Sequence, residues 1–192
     1  MRTAPIIALA ALTCLAAFAA CGSDVNSTED AKKAYLGLDP SVDKAIKLGF
    51  DGYNADPNGA NIQAQSADGG VSGTMTVTGQ VDQGSSDNKG MRLADALANY
   101  SEDGHVTYNT DSNALPALTI NLKNIPSGTV DGSLNGSFLM SGGLTGQVSL
   151  ALTFSGQIEA GPGNTVVRKA GTTHITGTAT SPAGTYNVDV TR

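Results

Sequence analysis

The sequence predicts an α+β protein: a curved antiparallel β-sheet of roughly seven to nine strands, closed or incomplete as a barrel, packed with one N-terminal amphipathic helix. Three observations predict it. One segment near the N-terminus has the apolar period of a helix, and from Gly70 onward the period changes to two. Glycine supplies 24 of 192 residues and recurs on the apolar side of the alternating segments.

Taking the elements in chain order, Ser27-Thr28-Glu29-Asp30 has the spacing of a capping box, which predicts a short helix to Leu36 ended by Gly37. A second helix follows, with Asp39 as its cap and Pro40 at its first position. Its stripe is Val42, Ala45, Ile46, Gly49, Phe50 and Tyr53, with Ser41, Lys44, Lys47 and Asp51 off the stripe and Asp43 and Lys47 spaced as an i,i+4 pair. Such a helix needs an apolar surface to lie on.

The strands are read from alternation. Val71, Met75, Val77 and Val81 form one apolar face, Leu118, Ile120 and Leu122 another, and Val130, Leu134, Phe138 and Met140 a third. Leu144, Val148, Leu150, Leu152, Phe154 and Ile158 continue the pattern, and Tyr186, Val188 and Val190 close it. One wet and one buried face per strand is an antiparallel signature. Turns at 82–90, 103–104, 141–143, 161–163 and 182–184 separate the runs at hairpin spacing. Gly73, Gly79, Gly132, Gly136, Gly146, Gly156 and Gly177 fall on the apolar side, which predicts strong curvature around the helix. Met91–Tyr100 fits a strand with Asp95 on the Leu93/Leu97 face, or a helix; the strand is taken, and an acid on an apolar face counts more against that assignment than for a site.

Residues 1–20 combine a basic start with an apolar run, Ile6 to Phe18, too short for a bilayer, and read as an export signal. Phe18-Ala19-Ala20-Cys21 then resembles the lipobox of bacterial lipoproteins, with Phe18 in place of the usual aliphatic residue. The resemblance implies cleavage before Cys21 and a diacylglycerol, usually with an N-acyl chain, on its thiol. At about 0.8 kcal/mol per buried methylene, two or three chains give a stable membrane anchor. Gly22 and Ser23, where an Asp after the cysteine would imply inner-membrane retention, point by the same resemblance to the outer membrane. The expected organisation is therefore a signal peptide over 1–20, a lipidated tether and short helix over 21–37, and a single β-rich domain over 38–192. Cys14 leaves with the signal, so Cys21 has no disulfide partner in the mature chain.

Losing Arg2 leaves 10 of the 11 basic residues against 17 acidic ones, a net charge of −7. With a pI near 4.6 no basic field exists for phosphates, so nucleic acid is excluded as an expected partner. Catalytic material is thin. His105 and His174 read as solvated, and no nucleophile elbow, zinc-protease motif, phosphate loop or dinucleotide fingerprint occurs. Asn54-Ala55-Asp56-Pro57-Asn58-Gly59 echoes the start of a calcium loop, but it begins with Asn54 and has Gln65 at the twelfth position, so neither metal nor cofactor is expected. The expected function is a non-catalytic envelope lipoprotein that binds a hydrophobic ligand or a protein partner. The alternative is a structural or surface lipoprotein with a solid core. In outline the architecture is similar to lipid-anchored carriers of hydrophobic molecules.

Mass spectrometry of the mature N-terminus is expected to find an acylated Cys21, and Cys21→Ser is expected to move the protein from the membrane to the soluble fraction. An unmodified Cys21, or cleavage elsewhere, contradicts the lipobox reading.

Overall fold

The computed structural model describes residues 22–56, 59, 61–82, 85–162 and 165–192. Residues 1–21, which include the expected export signal and Cys21, lie outside the described residues. Two helices, α1 (Thr28–Leu36) and α2 (Asp39–Ala55), precede nearly all of an eleven-stranded sheet. Its strands are β1 (Ser23–Asp24), β2 (Ile62–Asp68), β3 (Ser72–Val81), β4 (Lys89–Ser101), β5 (Val106–Asn109), β6 (Ala117–Lys123), β7 (Thr129–Gly142), β8 (Leu144–Ala160), β9 (Val166–Arg168), β10 (His174–Ser181) and β11 (Gly184–Thr191).

The main path runs β11-β10-β8-β7-β5-β4-β3-β2, antiparallel throughout. Strand β6 shares the slot between β4 and β7 with β5, while β1, parallel, and β9 pair with opposite ends of β8. The end strands β2 and β11 do not pair, so the sheet is a partial ring. Helix α1 packs against β11 and β8, and α2 against β2, β3, β4 and β9, so the helical arm reaches from one end strand to the other. Four of the eleven strands are the short or irregular β1, β2, β5 and β9, none of which carries a clear period; this accounts for the lower number expected from alternation.

The N-terminal segment is built into the body. Val25, Ala31, Ala34 and Tyr35 are all buried in the same core as α2 and the sheet. Ser27 caps α1 as the sequence predicts: its hydroxyl accepts the Asp30 N–H at 3.2 Å and donates to the Asp30 carboxylate at 2.7 Å. Helix α2 departs from expectation, because Leu38 is its cap and Asp39 makes no capping bond. Gly37 is required by a close approach, since a Cβ there would lie 2.3 Å from the Tyr108 hydroxyl, which donates to the Ala34 carbonyl at 2.9 Å. On the surface Lys47 pairs with Asp51 rather than Asp43.

The inner face carries the predicted apolar residues, with Met75, Val77, Ile120, Leu134, Phe138, Val148, Leu152 and Ile175 all buried. Val71 is an exception, 63% exposed and just ahead of β3. Residues 91–100 do form a strand within β4, and Asp95 does point inward. The inward glycines make room for neighbours. Gly132 pairs across the ladder with Phe154, and a Cβ on it would stand 2.6 Å from the Phe154 ring and 2.1 Å from the Thr119 carbonyl oxygen. Gly146 has φ +80, and a Cβ there would meet the Asp24 carboxylate at 2.5 Å.

Gly132→Val is therefore expected to destabilise the fold by about 1–3 kcal/mol through overpacking. Ser133→Val, one residue away on the outer face, is expected to stay within about 0.5 kcal/mol of wild type. Denaturant unfolding measures both, and equal tolerance would contradict the assignment of faces.

Candidate functional site

An apolar surface concavity lies at the C-terminal end of α2. Phe50 and Tyr53 reach it because they continue the α2 stripe past the edge of the sheet, where they are only half-buried. Ile125, from the turn after β6, and Val166, from β9, supply the opposite wall, and Lys47, Asp51, Asn54, Lys89 and Thr165 the rim of a cleft of about 380 Å³. The Lys89 ammonium lies 5.0 Å from the centre of the Tyr53 ring and donates to the Asp82 carbonyl at 3.3 Å. The cleft is thus an apolar slot with cationic and anionic groups at its mouth, which suits an apolar group carrying a polar end.

At the junction of α1 and α2 stands a buried charge network. The Arg168 guanidinium grips Asp43 at 2.9 and 2.8 Å and donates to the Asp39 carboxylate and the Asp39 carbonyl, both at 2.9 Å. Asp39 also accepts from the Tyr35 hydroxyl at 2.6 Å and from Arg192 Nε at 3.2 Å. Side chains of Arg168 and Asp39 are 5% and 6% exposed, so these charges are withdrawn from water and depend on one another. Burial by itself would raise the Asp39 carboxyl, but the hydrogen bonds and charge of Arg168, with the bonds from Tyr35 and Arg192, outweigh it and hold the group below the ordinary carboxylate range. Burial, then the charge of Asp39, pushes the Tyr35 phenol far up, so it serves as a donor.

Asp95 is the second buried acid. It sits on the inner face of β4 opposite Val77 of β3, its Oδ1 has no hydrogen-bond partner, and burial pushes its carboxyl up to about 7.

The remaining sequence candidates are dispersed. His174 pairs with Asp189 at 2.8 Å on the outer face, whereas His105 uses its backbone to build the turn between β4 and β5. In the Asn54–Gly59 segment, Asn54 and Ala55 are the last residues of α2 and Asp56 its C-cap, while Pro57 and Asn58 lie outside the described residues. No cluster of His, Cys, Asp and Glu among the described residues has the geometry to hold a metal. Sequence reading missed Arg168 and Arg192. The one available signal was that Arg168 follows Val166 at two-residue spacing, on the inner side of a strand too short to display a period.

No known protein family matches the chain, and neither a curated protein nor a solved structure is significantly similar to it.

Arg168→Leu is expected to cost about 3–5 kcal/mol, because it strands Asp39 as an uncompensated buried charge. The network also sets an acid limit. The folded carboxyl of Asp39 titrates below its unfolded value of about 3.9, so its contribution is complete above that pH and is lost as pH falls through the lowered folded value. Unfolding free energies at pH 7 and pH 3 test both statements, and a variant of near wild-type stability would contradict them.

Proposed function

We propose that the protein is a non-catalytic, lipid-anchored component of the cell envelope, held on the outer membrane through an acylated Cys21, and that it binds the apolar part of a ligand in the cleft of Phe50, Tyr53, Ile125 and Val166. The cleft is the observation that carries the binding half of this reading. Its walls are aromatic and aliphatic, and it is large enough for a ring or a short acyl segment.

The position of β1 supports the anchoring half. Only Gly22 separates Cys21 from the sheet, and the Gly22 carbonyl accepts from the Thr145 hydroxyl at 3.3 Å. That end of the sheet also holds the turns at 102–105 and 142–143, joined by the Gly143 N–H to the His105 carbonyl. The cleft adjoins Lys89 at the other end of the 13-residue strand β4, whose length is at most roughly 40 Å at about 3.3 Å per residue. Acyl chains on Cys21 would thus hold the body close to its membrane with the cleft directed away.

The packed inner face favours a second reading, a purely structural lipoprotein, since Phe154 fills the space at Gly132, Thr173 that at Gly156, and the α2 residues Val42, Ala45 and Ile46 are buried in the same core. Fluorescence titration with the apolar dye N-phenyl-1-naphthylamine separates the two. Saturable binding is expected for wild type, weakened at least tenfold by Thr165→Trp at the rim and unchanged by Ser133→Trp on the outer face. No binding, or equal binding by all three proteins, rejects the ligand reading and leaves the structural one.

A further inference from the structure

We propose that Asp95 is a proton-operated latch: its neutral carboxyl lets α2 stay seated on the inner face of the sheet, and release of the proton to solvent loosens α2 from β4. The argument begins with placement. Two contacts fix α2 above β4. At one, a Cβ on Gly49 would lie 3.0 Å from the Met91 sulfur and 3.5 Å from Leu93. At the other, Lys44 bonds Glu102 at 2.7 Å and lies 5.4 Å from the centre of the Tyr100 ring. Asp95 stands between Leu93 and Leu97 on the same inner face, between those two contacts, and is 4% exposed.

An orphaned acid in an apolar layer is stable only without its charge. Among the described residues no neighbouring element brings a counter-charge to Asp95. Strand β3 contains no titratable residue. On α2, Lys44 is committed to Glu102 and the Asp68 carbonyl, and Lys47 to Asp51. On β4 itself the Tyr100 hydroxyl donates to Glu102, Arg92 is exposed on the outer face, and Lys89, six residues before Asp95 on the same face, donates to the Asp82 carbonyl and lies against the Tyr53 ring. On β5 the Tyr108 hydroxyl donates to Ala34, and on β6 Lys123 pairs with Asp131. In the segment between β5 and β6, Asp111 accepts from Asn113. The ladder is also interrupted beside Asp95: its N–H goes to the Pro116 carbonyl, just where β6 begins at Ala117 and β5 has ended at Asn109.

Burial pushes the Asp95 carboxyl up to about 7, above its unfolded value of about 3.9, so the seated form binds the proton more tightly than the open one. The stabilisation is complete below the unfolded value and is lost as pH rises towards 7. Opening that hydrates Asp95 should become about tenfold more populated between pH 6 and pH 8.

Hydrogen exchange on the full chain, corrected for intrinsic rates, reads this segment by segment. The expected result is that α2 amides lose about tenfold protection from pH 6 to pH 8 in wild type and keep it in Asp95→Asn, whose carboxamide cannot ionise. The carboxyl carbon chemical shift of Asp95 in the wild type gives an answer independent of any variant, and titration near 7 is expected. An Asp95 already ionised at pH 5.5 in the folded protein overturns the proposal. So does a wild-type loss of protection that Asp95→Asn shares, or a loss confined to residues 110–116 while α2 stays protected.

Discussion

The fold depends on one buried charge, that of Arg168. The helical arm must cross the inner face of an open sheet, and apolar contact alone, being non-directional, does not set where the arm bends. Arg168 sets it. From β9 it holds Asp39 and Asp43 in the first turns of α2, while Asp39 is shared with Tyr35 at the end of α1 and with Arg192 beyond β11. Four separate pieces of chain meet at one carboxylate. Because a guanidinium donates along fixed directions, the bend between α1 and α2 is specified as well as stabilised.

That arrangement explains why a negatively charged chain accepts acids in its interior. Arg168, with Tyr35 and Arg192, holds the Asp39 carboxyl below the ordinary carboxylate range, whereas burial without a counter-charge pushes that of Asp95 up to about 7. The two carboxyls are opposite solutions to the cost of burying charge, and they limit the fold from opposite ends of the pH range. One lies where the arm bends, and the other stands on the inner face of β4 between the two places where α2 meets that strand.

The inner face is a packed layer, and this relocates any ligand site. Glycines on the apolar side of strands produce curvature and at the same time admit side chains from the next strand, as Phe154 does over Gly132. The apolar concavity lined by Phe50 and Tyr53 is peripheral, at the C-terminal end of α2. It adjoins Lys89, at the opposite end of β4 from the turn at 102–105 beside which β1 begins.

The sequence by itself determined the class of fold and most of its parts. Period-two alternation marked the long strands, the stripe from Val42 to Tyr53 marked α2, and Ser27 with Asp30 marked the start of α1, because each signal is local and repeats within one element. Even the inward position of Asp95 was legible from its place between Leu93 and Leu97. Tertiary structure alone decided what those residues meet. Asp39 read as a cap because a cap is a contact within four residues, yet its partner Arg168 lies 129 positions away. The short strands β1, β5 and β9 exist only because a neighbour offers them a ladder. Asp95 became significant only when its buried Oδ1 was found without a hydrogen-bond partner. Local periodicity records which face of an element is buried; it carries no record of what covers that face, since the covering groups come from distant parts of the chain.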